Sequence, residues 1–502
     1  MEQKKKITFG KIILTFFEIV LLAAVFSLLW ATKRYGGVQM NAIMFSLFMP
    51  MVGISTGILS DYFSYMAMTF LPTLMVVVAI VISCKKLQNG PYKINKVLKS
   101  IVKVMGKMRF VVIIWLLATL LTIAEHNFGL VKWVSYQFQT SNFIEEEYVD
   151  PKLAQVTFPK EKRNLIYIIV ESAETTNQSV QDGGVFDYDN APEMTQLAYS
   201  NISFSQNDKL TGAYVAPYCT WSMSAIIAQT SGVPTKTWYP PTKNANGEFN
   251  KFMPGVTTLG EILEQNGYKN YFMAGSDSDF ACCTEYLTQH GNYTLLDYPW
   301  AVETGRITSD YFVWWGFEDQ KLYSYAKEEL TNIAQNDEPF NFTLMTVDTH
   351  CEDGYICELC STDEDNQYKN VWNCASKQLN EFVEWIKEQP FYENTTVVIV
   401  GDHCSMDVNF YDGLAATEDR RVYNCIINSA VKTANTKNRQ FTTMDMFPTT
   451  LASIGAIIEG DRLGLGTNLF SDTKTLVEQY EASYVFDELE KVSQFYNNNL
   501  SH

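Results

Sequence analysis

Carboxylates and histidines follow three apolar runs of this chain, each at the point where the run stops. The run LIYIIV is followed by Glu171, FTLMTV by Asp348 and His350, and VVIVG by Asp402 and His403. Carboxylate and imidazole groups together suit a borderline divalent ion such as Mn²⁺ or Zn²⁺. One such ending is often a capping acid or a structural histidine, but three of them predict a metal site. We expect Mn²⁺ there, with Zn²⁺ as the alternative.

A candidate nucleophile precedes another apolar segment, in the stretch CTWSMSAIIAQTSGVP. The hydroxyl residues Thr220, Ser222 and Ser224 come just before the apolar segment, and a Gly-Val-Pro sequence follows it. A helix that starts near Ser222 would point free N–H groups and the positive end of its dipole at a bound anion. Serine and threonine are also ordinary N-cap residues. The pattern alone leaves both interpretations open, and the predicted metal site favours the nucleophile.

These side chains need a common sheet to bring them together. Helical patterns occur at residues 258–266, which end at Gly267, and at residues 379–386, where apolar side chains recur at helical spacing. Strand–helix alternation predicts a doubly wound α/β sheet, in which ligands bind at the carboxyl ends of the strands. Short apolar runs typical of strands buried on both faces, as in a parallel sheet, are residues 165–170, 342–347, 395–400 and 422–427.

The 502 residues divide into two parts of different composition. The first part, about 110 residues long, is basic and apolar, whereas the remainder is acidic and brings the net charge of the chain to −18. This charge excludes nucleic acid as a partner, because binding to a phosphate backbone needs a basic face. The length allows two or three folding units.

Three stretches of about 20 largely apolar residues predict helices that cross a membrane, at 12–31, 63–83 and 110–128. A weaker stretch, 41–59, contains proline and glycine and is expected to be an outer re-entrant or interfacial segment. The loop between Cys84 and Phe110 contains eight Lys or Arg residues and no acid. The positive-inside rule places that loop in the cytoplasm. We therefore expect a multi-pass protein of the cell membrane whose larger domain is extracytoplasmic.

Nine of the ten cysteines lie in this proposed outer domain, where disulfides persist. Their odd number leaves at least one thiol unpaired. The sequence Cys357-Glu-Leu-Cys360 is open to three interpretations, as half of a zinc site, as a redox motif or as part of a structural disulfide. The sequence offers no second motif of this kind and no nearby pair of histidines, so a disulfide is favoured.

Six stretches in a fixed order resemble the alkaline phosphatase superfamily, and within it the membrane-anchored phosphoglycerol transferases. They are NLIYIIVES, CTWSMSAIIAQTSGVP, LGEILEQNGYKNYFMAG, LMTVDTHCEDGY, VVIVGDH and LGLGTNLF. Lipoteichoic acid synthase is a more distant relative. The resemblance implies an alkaline-phosphatase-like α/β domain at residues 164–475. A transmembrane anchor at 1–130 and a linker at 131–163 would precede it, and a tail at 476–502 would follow.

The resemblance also implies roles for individual residues. Glu171, Asp402 and His403 match metal ligands. Ser222, where many relatives have threonine, matches the nucleophile and joins the metal ligands, while Thr220 remains the alternative nucleophile.

Other roles follow from the same resemblance. His350 matches a histidine that contacts the substrate phosphate, and Asp348 and Trp221 are further substrate-binding candidates. A cysteine pair of the family falls at Cys360 and Cys374, which implies a disulfide between them.

The implied activity moves a phosphoglycerol group from phosphatidylglycerol to a hydroxyl of an extracytoplasmic glycan or glycolipid, through a covalent seryl intermediate. The alternatives are a phosphoethanolamine transferase or phosphodiesterase on the same scaffold, or a non-catalytic receptor for glycans or lipids. Sulfatase activity is not expected, because the stretch at Cys219 lacks the Pro and Arg of the Cys/Ser-x-Pro-x-Arg motif. The sequence has Asp279 and Cys283 where relatives have basic residues, which leaves the headgroup preference open.

Overall fold

The computed structural model describes residues 2–35, 38–50, 52–53, 56–89, 109–245, 247, 249–411, 413 and 420–501. The chain forms two compact units. The first comprises Met1–Val38 and Thr56–Lys132, and the second comprises Gln39–Ser55 and Trp133–His502.

The described residues of the N-terminal part of the chain are mostly helical. Three of its helices are long and apolar enough to cross a membrane, at Ile13–Tyr35, Gly57–Ser83 and Arg109–Phe128, in agreement with the three predicted spans. Most of the basic loop, residues 90–108, lies outside the described residues. The helices are α1 (Glu2–Tyr35), α2 (Met40–Phe48), α3 (Thr56–Tyr65), α4 (Leu71–Asn89) and α5 (Arg109–Phe128), with a π-helical turn at Met66–Phe70.

Helix α2 belongs to the second unit, although the sequence grouped residues 41–59 with the anchor. Phe45 and Met49 are buried in the same apolar core as the helix that begins at Ser222. A segment from the N-terminal region therefore forms part of the larger domain.

A sheet of six strands forms the centre of the second unit, in the order β4-β3-β5-β2-β6-β7. The five strands from β4 to β6 are parallel. Two-stranded antiparallel pairs join β1 to β8 and β9 to β10. The strands are β1 (Val156–Thr157), β2 (Asn164–Val170), β3 (Lys269–Ala274), β4 (Thr294–Leu296), β5 (Phe340–Met345), β6 (Thr395–Gly401), β7 (Asn424–Ile427), β8 (Ile457–Ile458), β9 (Arg462–Leu463) and β10 (Gly466–Thr467).

One predicted strand runs in the other direction. The run at 422–427, expected to be parallel, forms β7, which pairs with β6 in antiparallel register at the edge of the sheet. An antiparallel edge strand on an otherwise parallel sheet is common in α/β folds, and apolar composition alone does not report strand direction. The sequence also gave no prediction for β3 and β4, which extend the opposite edge.

Helices cover both faces of the sheet, which confirms the doubly wound α/β prediction. Alternate residues of β2 enter different cores: Leu165, Tyr167 and Ile169 pack in one, and Ile166 and Ile168 in the other. The helices are α6 (Leu130–Tyr136), α7 (Phe143–Glu147), α8 (Pro192–Ser200), α9 (Ser222–Ser231), α10 (Leu259–Gln265), α11 (Cys283–Gln289), α12 (Tyr298–Glu303), α13 (Asp319–Ile333), α14 (Gln367–Lys387), α15 (Val408–Tyr411), α16 (Met446–Ser453), α17 (Leu476–Tyr480) and α18 (Ala482–Glu490).

Short 3₁₀ and π turns complete the second unit. They are the 3₁₀ turns Thr175–Asn177, Phe280–Cys282, Pro390–Asn394, Thr443–Asp445 and Glu459–Asp461, and the π turn Tyr496–Leu500. The predicted helix at 258–266 contains α10, and the one at 379–386 lies in α14. Gly267 follows α10 with a φ of 83°, the left-handed backbone that a glycine cap permits.

Two segments outside the predicted 164–475 domain are folded onto it. The linker region contains α7 and β1, and β1 pairs with β8. The C-terminal region contains α17 and α18, whose Val485 and Leu489 are fully buried in the core. The amide of Ser141 donates to the carbonyl of Val492 at 2.9 Å, which ties the two segments together. The larger domain therefore begins before residue 164 and ends after residue 475.

Candidate functional site

The ends of two neighbouring strands hold the acidic residues of the site. Strands β2 and β6 are parallel, and their register pairs Val170 with Gly401. The next residue on each strand, Glu171 and Asp402, therefore lies at the same edge of the sheet. Both side chains are buried.

The two carboxylate oxygens of Asp402 have different surroundings. Its Oδ1 accepts hydrogen bonds from the amides of Ser172 and His403, both at 2.7 Å. Its Oδ2 is buried and has no hydrogen-bond partner among the described residues. A buried carboxylate oxygen without a donor is costly unless a cation neutralises it.

His403 is fully buried and is held in one orientation. Its Nδ1 lies 2.9 Å from the carbonyl oxygen of Cys404, to which it donates, so the lone pair of the neutral ring is on Nε2. Nε2 lies 3.3 Å from Asp402 Oδ2 and 3.6 Å from Glu171 Oε1. A backbone carbonyl that fixes the tautomer in this way is typical of a metal-binding histidine.

Ser222 is the first residue of α9, as the sequence predicted for a helix that starts near it. Its Oγ donates to Glu171 Oε2 at 3.0 Å and lies 3.3 Å from His403 Nε2. Thr220 differs, because its Oγ1 is buried and has no hydrogen-bond partner among the described residues. Of the two candidate nucleophiles, Ser222 contacts the acidic group directly.

The group fits a divalent cation. Glu171, Asp402 and His403 each offer one ligand atom, and these atoms lie within 4.8 Å of one another. Burial, and after it the nearby Glu171 carboxylate, raise the pKa of Asp402 to about 7. Burial lowers the pKa of His403, but the carboxylates of Asp402 and Glu171 outweigh it and raise the pKa overall. Two crowded carboxylates, an imidazole nitrogen and a hydroxyl form a ligand set suited to Mn²⁺ or Zn²⁺.

Asp348 lies outside this ligand group. Its two carboxyl oxygens are buried and have no hydrogen-bond partner among the described residues. Asp319 is beside it and accepts hydrogen bonds from the amides of Val347 and Asp348 at 2.8 and 3.0 Å. Burial and the neighbouring Asp319 raise the pKa of Asp348 well above its usual value. Burial and the neighbouring Asp319 thus both favour the neutral form of the Asp348 carboxyl group, whose role in substrate binding stays a prediction.

His350 is half-buried against an aromatic side chain that the sequence had not suggested. Its ring centre lies 4.7 Å from that of Trp315, and its Nδ1 lies 2.7 Å from the carbonyl oxygen of Cys351. The adjacent Thr349 donates from Oγ1 to the backbone oxygen of Glu171 at 2.5 Å, which joins this loop to the end of β2. The sequence contains two consecutive tryptophans at 314–315, but they belong to no recognised motif and therefore did not indicate a site residue.

A buried ion pair supports the loop after His403. The guanidinium of Arg420 donates from Nε to Glu174 Oε2 at 2.7 Å and from Nη2 to the carbonyl oxygen of Ser405 at 2.8 Å. Glu174 Oε1 also accepts the amide of Ser405 at 3.0 Å. The sequence did not single out either residue, because the two lie far apart along the chain.

Trp221 and the loop of Asp279 both contact the N-terminal segment. The ring of Trp221 lies 4.8 Å from that of Phe45 in α2. In the loop, the amide of Ala281 donates to the carbonyl of Pro50 at 3.0 Å, while Asp279 is exposed and Cys283 buried. The loop that contains Asp279 and Cys283 therefore contacts the segment that follows α2.

Three cysteines lie close together beside α14. Cys357 Sγ is 3.6 Å from Cys360 Sγ and 3.8 Å from Cys374 Sγ. All three sulfur atoms lie within 4.8 Å of one another. The bond between Cys360 and Cys374 stays a prediction, because Cys357 is equally close to both.

Residues 163–456 match the family described as Sulfatase. A protein named phosphoglycerol transferase I from Salmonella choleraesuis is 30% identical over 63% of this chain and 40% of its own length. Its counterpart from Citrobacter koseri is 29% identical with the same coverage. The chain thus spans well under half the length of these relatives.

Among solved structures, one described as a protein in the alkaline phosphatase superfamily from Vibrio parahaemolyticus is 21% identical, covers 66% of this chain and 78% of its own, and has a TM-score of 0.49. The Sulfatase match covers more than half of the chain, and it contains Glu171, Ser222, Asp402 and His403. On that match, the chain belongs to the sulfatase family.

Proposed function

We propose that this chain is a membrane-anchored phosphotransferase that moves a phosphoglycerol group from phosphatidylglycerol to a hydroxyl of an extracytoplasmic glycan or glycolipid. The observation that carries the proposal is the position of Ser222 Oγ, 3.0 Å from Glu171 Oε2 and 3.3 Å from His403 Nε2, at the first turn of α9. The names of the relatives at about 30% identity support the phosphoglycerol group.

Ser222 is the nucleophile in this mechanism. A divalent cation held by Glu171, Asp402 and His403 supplies positive charge that lowers the pKa of a hydroxyl and offsets charge at phosphorus. Ser222 Oγ forms a bond to phosphorus, and the bond from phosphorus to the diacylglycerol oxygen breaks. The Ser222 proton passes to Glu171 Oε2, the atom to which the hydroxyl already donates, and from there to the diacylglycerol oxygen, which leaves as an alcohol.

The second half of the reaction returns Ser222 to its starting state. The acceptor hydroxyl attacks the phosphorus of the seryl phosphoglycerol ester, and the bond to Ser222 Oγ breaks. The acceptor's proton replaces the one that Ser222 lost. His350 is the residue that we expect to neutralise the phosphate or protonate a leaving oxygen, and the N-terminus of α9 favours the anionic group.

The membrane arrangement supports a lipid donor. Residues 39–55 and 133–502 fold into one unit, so both must be on the same side of a membrane. Two candidate spans, Gly57–Ser83 and Arg109–Phe128, lie between them in sequence, and two crossings return the chain to the same side. The basic loop between these spans is then on the opposite, cytoplasmic side.

The direct test uses the full-length protein in detergent with Mn²⁺ and phosphatidylglycerol labelled in its acyl chains. Release of labelled diacylglycerol, with a glycerophosphate adduct on the peptide that contains Ser222, is the expected result. Phosphatidylethanolamine as the better donor would favour the phosphoethanolamine transferase. Release of free glycerophosphate in the presence of glycan acceptors would favour a phosphodiesterase, and bound metal without any turnover would favour a receptor.

A further inference from the structure

Helix α2 reaches the residue next to the candidate nucleophile. Its Phe45 and the following Met49 are only 2% and 4% exposed, so this side of the segment is packed into the domain. The Phe45 ring lies 4.8 Å from that of Trp221, which directly precedes Ser222. The segment is therefore part of the wall beside the site.

The other side of the segment is apolar and exposed. Leu47, Phe48 and Val52 are 69%, 42% and 48% exposed, and Tyr239, at 61%, places its ring 5.0 Å from that of Phe48. We call these four residues the apolar rim. Exposed apolar groups that adjoin one another in this way mark an interaction surface more often than single exposed side chains do.

The composition around the apolar rim is that of a membrane interface. The sequence has no charged residue between Arg34 and Asp61, whereas a helix that faces water normally carries charges on its outer side. Next to Tyr239, the ring of Trp238 lies 5.3 Å from that of Trp133. Tryptophan and tyrosine are enriched at the boundary between lipid and water, where one end of each ring is apolar and the other polar.

The lengths of the chain that join α2 to the two neighbouring candidate spans indicate what the apolar rim contacts. Helix α2 starts five residues after Tyr35, the end of one candidate span, and Gly57, the start of the next, lies nine residues after Phe48. At about 3.5 Å per residue, these connections extend to at most roughly 17 and 30 Å. The shorter connection limits the start of α2 to within roughly 17 Å of the end of a candidate span, which favours lipid over a soluble partner.

We propose that the apolar rim inserts into the outer surface of the bilayer and receives the acyl chains of the lipid donor beside Ser222. The identity of that lipid rests on the proposed function, whereas contact with acyl chains does not. The diacylglycerol that leaves phosphorus when Ser222 attacks then returns to lipid along an apolar surface and is not transferred through water.

The first test measures contact without turnover. The full-length protein in lipid nanodiscs that contain phosphatidylglycerol with a diazirine in its acyl chain is irradiated, and labelled peptides are mapped. We expect labels at Leu47, Phe48 and Val52, but not at Leu153 or Ile457, which are 86% and 71% exposed in other parts of the domain. Labelling of α2 no stronger than at Leu153 overturns the proposal.

The second test measures how the rim affects use of a lipid. Leu47→Gln and Phe48→Gln are compared with the matched control Leu153→Gln, on phosphatidylglycerol vesicles and on the water-soluble diester bis(4-nitrophenyl) phosphate. We expect the ratio of vesicle to soluble turnover to fall about tenfold in the rim variants and to stay constant in the control. An unchanged ratio in both rim variants contradicts the proposal.

The two tests separate this proposal from the proposed function. Lipid labelling of the rim together with no diacylglycerol release from phosphatidylglycerol would leave the rim as a lipid contact and remove the transferase. Diacylglycerol release with an unlabelled rim would support the transferase and remove the rim as a lipid contact.

Discussion

Ser222 and Thr220 are two residues apart, but only the Ser222 hydroxyl contacts Glu171 and His403. Ser222→Ala should lower turnover by at least about a thousandfold, because a nucleophile is lost. It should keep its metal, since three ligands remain, whereas His403→Gln should lose both metal and turnover while still folding. Metal analysis and mass spectrometry of the glycerophosphate adduct distinguish these results.

Two further variants serve as controls for that series. Ser222→Thr should keep partial activity because the hydroxyl is preserved, and Thr220→Ala should form the adduct as the unchanged protein does. An adduct on Thr220, or normal turnover in Ser222→Ala, would show that the nucleophile is assigned to the wrong residue.

The raised pKa values at the site predict how the metal-free protein responds to pH. Asp402 has a pKa of about 7 in the fold, against about 3.8 when unfolded, so it holds a proton in the folded state that the unfolded chain has lost. Stability therefore falls as pH rises from about 4 to 7, by about 1.4 kcal/mol per pKa unit. The raised pKa of His403 acts in the same direction, because its stabilising contribution is lost as pH rises through the folded value.

Thermal unfolding of EDTA-treated protein should show this trend between pH 5 and 8, and added Mn²⁺ should raise the Tm most at the high end. Asp402→Asn is the matched variant, since it keeps the shape of the side chain and removes its titration. A Tm of the metal-free protein that rises over this range, or an unchanged slope in Asp402→Asn, would contradict the assignment.

At the scale of elements, the sequence predicted what local patterns determine. The apolar runs of β2 and β6 and the acids that follow them needed only strand periodicity and the rule that ligands collect at strand ends. Gly401 shows how closely that end is packed, because a Cβ there would lie 1.9 Å from the carbonyl oxygen of Ala173. The start of α9 at Ser222 was equally accessible, since hydroxyl residues before an apolar run are a local signal.

Other elements depended on contacts that no local pattern reports. The direction of β7 is set by its pairing with β6, and its composition is the same in either direction. The sequence of helix α2 suggested a segment of the membrane anchor. Its hydropathy is the same whether the apolar side chains are buried in lipid or against Trp221. Trp315 and the ion pair of Glu174 with Arg420 were missed for a related reason, since their partners are distant in sequence.

The cysteines beside α14 give a prediction at this scale. We expect Cys360 and Cys374 to be bonded and Cys357 to remain a thiol. The bond closes a loop of about 14 residues, so Cys374→Ser should lower the free energy of unfolding by about 3 kcal/mol in the chain-entropy model. Peptide mapping without reductant identifies the pair, and Cys357→Ser is the control that should lose far less. A bond from Cys357 to Cys374 would make Cys357→Ser as costly as Cys374→Ser and would contradict the predicted pair.

For the whole molecule, the second unit is assembled from two separate parts of the chain, residues 39–55 and 133–502, which enclose the helices of the first unit in sequence. Such an arrangement requires an even number of membrane crossings between the two parts. It also means that the larger domain cannot be separated from the anchor by cutting near residue 130 without removing Phe45 and Met49 from its core.

This arrangement predicts the topology of the full chain. A single cysteine introduced within residues 88–99 should be protected from a membrane-impermeant maleimide in intact cells, because the positive-inside rule predicts that the basic loop is cytoplasmic. A cysteine in place of the exposed Leu153 should be labelled readily, since it lies on the outer domain. Lysed cells provide the control, in which both sites should react. Labelling of the loop in intact cells would invert the orientation and place Ser222 in the cytoplasm, on the opposite side from the proposed glycan acceptor.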